Sequence, residues 1–94
     1  MCIRDSDYIV SARNYVVLHV GKETHVVREN LGHLETLLNP RVFTRVSRFA
    51  LANIGRIRGI EPGPKGKLYL LLKTGARLLS PLSLKEVQSR LQLR

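Results

Sequence analysis

Three arginines, Arg45, Arg48 and Arg56, stand among core-like residues in the stretch FTRVSRFALANIGRI, residues 43–57. A guanidinium is ionised at any ordinary pH and is costly to bury without a partner. No Asp or Glu occurs between Glu35 and Glu61, so partners are scarce nearby in the chain. The chemistry such residues suit is anion recognition, because the planar fork matches a phosphate or a guanine edge bidentately. The three are therefore expected together on the surface, facing an anionic partner. Arg48 is the first choice for that contact, against the plainer reading of a solvated surface arginine. Arg45 either meets phosphate or braces its own loop by donating to carbonyls.

Other chemistries find less support. No set of His, acid and nucleophile clusters in the sequence, and acids number only seven. The run GPKGK lacks the spacing and the strand-to-helix setting of a phosphate-cradling P-loop. His19, His25 and His33 match no zinc signature in their spacing, and Cys2 is the single cysteine. A lone thiol closes no internal disulfide, which favours an intracellular, cytoplasmic setting. The expectation is a protein that is not an enzyme, with no metal and no cofactor.

Charge narrows the partner. The 94 residues, 44% of them hydrophobic, suffice for one folded domain with a modest core. No apolar run approaches the roughly 20 residues of a membrane-spanning helix. Sixteen Lys and Arg oppose seven Asp and Glu, a net charge of +9. Residues 1–40 carry four bases against five acids, whereas residues 41–94 carry twelve against two. A field so concentrated attracts a polyanion, nucleic acid first and an anionic membrane second. A generically basic, soluble surface is the bland alternative.

The elements that must position these residues are mostly strands. DYIVSARNYVVLHV reads as two extended pieces around a polar break at residues 11–14, with Val16 and Leu18 on one face of the second piece and Tyr15, Val17 and His19 on the other. GKET turns the chain into HVVR, its hairpin partner. A helix over about 30–39 follows, with Asn30 as N-cap, Leu31, Leu34, Leu37 and Leu38 as its apolar stripe, and Asn39-Pro40 as its stop. RIRGIE and KLYLLLK are strands joined by PGPKG, and KTGA leads into RLLS. A second helix over about 83–92 opens with the capping box SLKE, residues 83–86, and turns Leu84, Val87 and Leu91 inward. Short strands at close spacing predict a mostly β fold, small antiparallel sheets packed as an elongated sandwich with two short helices. Residues 1–6, MCIRDS, join none of these patterns and read as a frayed terminus or a non-native leader, which leaves 1–7 unassigned and 8–94 as the domain.

ARNYVVLHV, a leucine-striped helix, FTRVSRFALANIGRI and LYLLLKTGARLLS, in that order, resemble the LytTR DNA-binding domains over about residues 8–94. The resemblance implies three small antiparallel sheets with short helices, docking on duplex DNA by loops that reach successive major grooves. It implies the output domain of a bacterial response regulator in a two-component system of transcription regulation. A receiver or sensor domain would lie upstream, and a second copy of the chain would occupy a directly repeated site.

Carried onto this sequence, the resemblance points at Asn14, Ser47, Arg48 and the loop after Ser80 as DNA-facing. Arg45, Phe43 and Asn53 match the same motif, Phe43 as core and Asn53 as the side chain fixing a turn. Asn14 either reads adenine or serves as a turn residue. Arg13, Lys73, Arg77 and Lys85 are candidates to neutralise phosphates or else solvated charges. The candidate set is thus Arg13, Asn14, Arg45, Ser47, Arg48 and Lys85. Against the family pattern, Ser47 replaces histidine, Phe49 replaces serine, Lys73-Thr74-Gly75 replaces Asp-Gly, and SPLS lacks the arginine expected near Leu82. The strand usually preceding DYIV is absent or replaced by MCIRDS. Two further readings stay open: an RNA-binding module, and a degenerate interaction domain of the same fold without DNA specificity.

Overall fold

The computed structural model describes residues 3–91. Its elements run β1 (Tyr8–Ala12), β2 (Tyr15–Val20), β3 (Glu23–Val27), α1 (Leu31–Leu37), β4 (Phe43–Ser47), β5 (Ala50–Asn53), β6 (Ile57–Pro62), β7 (Leu68–Leu72), β8 (Arg77–Ser80) and α2 (Leu84–Leu91). The strands form a five-stranded sheet in the order β3-β2-β1-β5-β4 and a three-stranded sheet in the order β6-β7-β8. Every pairing between neighbours is antiparallel. The fold is the mostly β, two-helix sandwich expected, with extents of 32 × 24 × 23 Å. It has two sheets where the resemblance implied three. The reason is β1, which pairs with β2 along one edge and with β5 along the other, fusing two hairpins into one sheet.

Side-chain alternation sorts the residues of this sheet onto two faces. Ile9, Val16, Leu18, Phe43 and Leu51 pack under Leu31 and Leu34 of α1. Val46, Ala50 and Ala52 point the other way and meet Leu70, Leu72 and Leu78 of the second sheet and Val87 of α2. All four residues of β5 are therefore buried, and ALAN reads as an unbroken run because both of its faces are covered. Alanines at the outward positions leave room for the second sheet to approach.

The first helix is shorter than its leucine pattern indicates. In α1 the Asn30 side chain caps the His33 N–H at 3.0 Å, but the helix stops at Leu37. Leu37 is exposed, and Leu38 packs on the core from an extended C-cap position instead of from the helix. Two turns bring only two leucines onto one face. In α2 Ser83 Oγ accepts from the Glu86 N–H at 3.2 Å, one half of the capping box, and among the described residues no return bond from the Glu86 carboxylate is made. Val87 is buried and Leu91 partly so, while Leu84 in the first turn is exposed. The expected end at residue 92, like Cys2, lies outside the described residues.

Residues 3–7 are part of the fold, contrary to the expectation that MCIRDS joins no element. Ile3 packs on the core beneath α1, and Ser6 and Asp7 are buried. The Asp7 N–H donates to the His19 carbonyl at 2.7 Å, and the Asp7 carbonyl accepts from the Asn53 N–H at 2.9 Å. The Asn53 side chain donates to the Ser6 carbonyl at 3.1 Å and accepts from the Gly55 N–H at 3.0 Å, so it does fix a turn, and also anchors the N-terminal segment. Hydrophobic periodicity cannot show this, since the contacts are polar and run through backbone groups.

Candidate nucleic-acid interface

Three connections meet at one end of the five-stranded sheet. The β1–β2 turn is residues 13–14, closed by the Ala12↔Tyr15 pair. The β4–β5 turn holds Arg48 and Phe49, and its Phe49 carbonyl accepts from the Ser11 N–H at 2.7 Å, which seats it beside the first turn. β3 runs back to the same end, because Val27 pairs with Val16, and delivers Arg28 there. Arg13, Asn14, Arg28, Glu29 and Asn30 surround an open polar hollow of about 330 Å³. Arg28 escaped the sequence reading, since only the strand pairing carries it to this end.

The Arg48 side chain is exposed and makes no ion pair among the described residues. Its guanidinium carbon lies 5.4 Å from the centre of the Phe49 ring, itself 58% exposed. Ser47 is half-buried, and its hydroxyl accepts from the Phe49 N–H at 3.2 Å, so it shapes the turn from within. Glu29 is an acid of this end. Its carboxylate accepts from the Asn30 N–H at 2.9 Å and contacts His33 Nδ1 at 3.0 Å. Those bonds, the backbone one foremost, lower its pKa.

Arg45 is differently engaged. β4 carries a register shift between Arg45 and Ser47 against β5, a bulge that interrupts the ladder before its last pair, Ser47↔Ala50. Across it Arg45 Nε donates to the Ser47 carbonyl at 3.0 Å and a terminal nitrogen to the Arg48 carbonyl at 2.9 Å. The other terminal nitrogen pairs with Glu35 of α1. Arg45 is thus a brace within the loop. The bulge is also held from behind: Arg90 of α2 donates to the Arg45 carbonyl at 3.2 Å, and the buried Ser80 hydroxyl donates to the Val46 carbonyl at 2.6 Å. The same hydroxyl accepts from the Leu82 N–H at 3.3 Å, tying the loop after β8 to the bulge.

Arg56 does not join this end. It follows Asn53 at the far end of β5 and pairs with Asp7 at 3.2 Å. The arginines of residues 43–57 therefore do not form one patch: Arg48 and Arg56 sit at opposite ends of a strand, and the partner of Arg56 lies in the segment set aside as unpatterned. Lys73 accompanies Arg56, its N–H donating to the Arg56 carbonyl at 2.8 Å. Arg77 pairs with Glu61 at 3.2 Å and lies over the Tyr69 ring. Lys85 is exposed on the first turn of α2 and makes no hydrogen bond or ion pair among the described residues. The histidines are dispersed: His19 stacks on Tyr8 with ring centres 4.1 Å apart, His25 contacts Glu23 and His33 contacts Glu29. Burial lowers the His19 pKa.

The LytTr DNA-binding domain family model matches residues 1–92. The chain belongs to the LytTR family. This is a DNA-binding and not a catalytic family. Among solved structures, the LytTr DNA-binding domain of a methyl-accepting/DNA response regulator from Bacillus cereus superposes with a TM-score of 0.83 at 19% identity, covering 99% of this chain and 86% of that one. None of the curated proteins matches. Among the described residues, no helix is long and apolar enough to cross a membrane.

Within this LytTR chain the β1–β2 turn carries a measurable tension. Arg13 has φ 58, in the left-handed region, so the unusual backbone sits on Arg13 and not on Asn14, where turn propensity placed it. A glycine adopts that conformation freely, which offsets its larger loss of chain entropy. Arg13→Gly is expected to leave the thermal midpoint unchanged or raise stability by up to about 1 kcal/mol. If Arg13 neutralises one phosphate, the same change flattens the dependence of DNA affinity on salt by about 0.9 in log–log slope. Thermal melts and anisotropy titrations at several salt concentrations measure both.

Proposed function

We propose that this domain binds duplex DNA with sequence preference, as the output domain of a transcriptional regulator in bacterial two-component signalling. Its contact surface is the end of the sheet carrying Arg13, Asn14, Arg28, Ser47 and Arg48, with the loop after Ser80 and Lys85 alongside. The observation that carries this reading is Arg48: an exposed guanidinium without an ion pair among the described residues, on a loop braced by Arg45, in a family of DNA-binding domains. Arg48 reads a guanine edge or clasps a phosphate, and Asn14 suits adenine. Arg13, Arg28 and Lys85 neutralise backbone charge, and the turns enter the grooves as loops. Input comes from a receiver or sensor domain upstream, and two copies sit on directly repeated sites in the cytoplasm.

Most of the affinity then comes from phosphates. Three contacts, by Arg13, Arg28 and Lys85, give an expected log–log salt slope of about −2.7 on duplex DNA, and about −3.6 if Arg48 too clasps a phosphate. Anisotropy titrations against duplex DNA, single strands and structured RNA test the assignment. Strong duplex preference supports it; no duplex binding at low salt by the folded domain overturns it and leaves an interaction domain of LytTR fold. A specific feature favours the second reading, single-strand or RNA binding: Tyr15 is 45% and Phe49 58% exposed at this very end, and exposed rings stack bases. Preference for single strands, lost in Phe49→Ala, would establish that reading instead.

A further inference from the structure

We propose that Arg45 is a positioning residue for DNA reading, and that through Glu35 it makes α1 a support of the loop presenting Arg48. The proposal rests on the duplex-DNA reading above. Three observations carry it. First, all the polar contacts of the side chain among the described residues are to its own loop and to α1: Nε and one terminal nitrogen close on the Ser47 and Arg48 carbonyls, the other on Glu35. Secondly, these two carbonyls lie just past a bulge, on the last paired residue of β4 and on the first residue of the turn beyond it. Thirdly, the backbone on which Arg45 stands is itself anchored, by Arg90 at its carbonyl and by Ser80 at the next one.

The physical consequence follows from geometry. A fork holding two successive carbonyls fixes the peptide planes on either side of the Arg48 Cα, and with them the direction in which its side chain leaves the loop. Contacts to base edges require such preorganisation, whereas a phosphate contact tolerates a mobile arm. Lysine keeps the positive charge and reach but offers a single ammonium in place of the rigid fork, so it cannot hold Glu35 and both carbonyls in the same geometry. Motion of α1 relative to the sheet would act on the reading loop by the same bonds.

The test uses Arg45→Lys and Glu35→Gln in the intact domain. Amide hydrogen exchange reads the loop directly: faster exchange over residues 47–49, by about tenfold, is expected in both variants while the β1–β5 pairing stays protected. On a duplex enriched by selection from a random pool, Arg45→Lys is expected to lose about tenfold in affinity and to keep its salt slope and its affinity for random duplex. Unchanged exchange in both variants overturns the proposal. So does a fall in salt slope of about 0.9 in Arg45→Lys, which would make Arg45 a phosphate contact. If selection enriches no duplex, sequence-specific recognition fails, and the exchange measurement still decides whether Arg45 holds the loop.

Discussion

Asp7→Ala is expected to unfold this domain more readily by about 2–3 kcal/mol, a drop in thermal midpoint of roughly 10–20 °C for a chain of this size. Asp7 is only 1% exposed. One carboxylate oxygen accepts from the Gly21 N–H at 2.7 Å and the other pairs with Arg56 at 3.2 Å. Removing the carboxylate strands both donors and opens a void where Ser6, Asp7 and Asn53 meet. The cost stays below that of a wholly buried pair because the Arg56 side chain is 48% exposed and rehydrates. Arg56→Ala leaves the buried Asp7 carboxylate with only the Gly21 N–H as donor and is expected to cost about as much, about 2–3 kcal/mol. Asp7→Asn, which keeps an acceptor for Gly21 and leaves only the exposed Arg56 unpaired, should cost less than either. Thermal and urea denaturation followed by circular dichroism measure all three. An Asp7→Ala midpoint indistinguishable from the parent would show that residues 3–7 contribute nothing to the fold.

Arg48→Ala is expected to weaken binding to a selected duplex by about 1–3 kcal/mol, roughly 5- to 150-fold, with stability changed by less than about 0.5 kcal/mol. The separation of the two effects follows from the structure. Among the described residues the guanidinium makes no hydrogen bond or ion pair and only a weak contact over Phe49, while the loop's shape depends on the Arg48 carbonyl, which alanine keeps. A comparison with random duplex sorts the contact. Loss confined to the selected sequence assigns Arg48 to a base edge, whereas equal loss on both with a shallower salt slope assigns it to phosphate. Full retention of affinity on both would remove Arg48 from the interface and the proposed surface with it.

Much of this could be read along the chain because it depends on neighbours in sequence. Turns, strand alternation, the Asn30 cap and the Ser83 cap are local, and each appears where the residue types demand it. The leucine stripe of α1 suggests a longer helix than forms, since Leu38 reaches the core from an extended position past the last turn. The family motif placed Phe43 in the core and Asn53 at a turn, both as found. The fate of the arginines was not local. Arg45, Arg48 and Arg56 look alike in sequence, yet one is a brace, one is free and one is paired with an acid 49 positions away.

Composition and order of residues by themselves determined a small, basic, mostly β domain, and the ordered motifs determined its LytTR kinship. The tertiary structure alone decided which charges are available to a partner. Antiparallel pairing folds Arg13, Arg28 and Arg48 to one end of a sheet and carries Arg56 to the other. Whether a guanidinium is free depends on the acids that long-range strand pairing and helix packing bring within reach, as they brought Asp7 to Arg56 and Glu35 to Arg45.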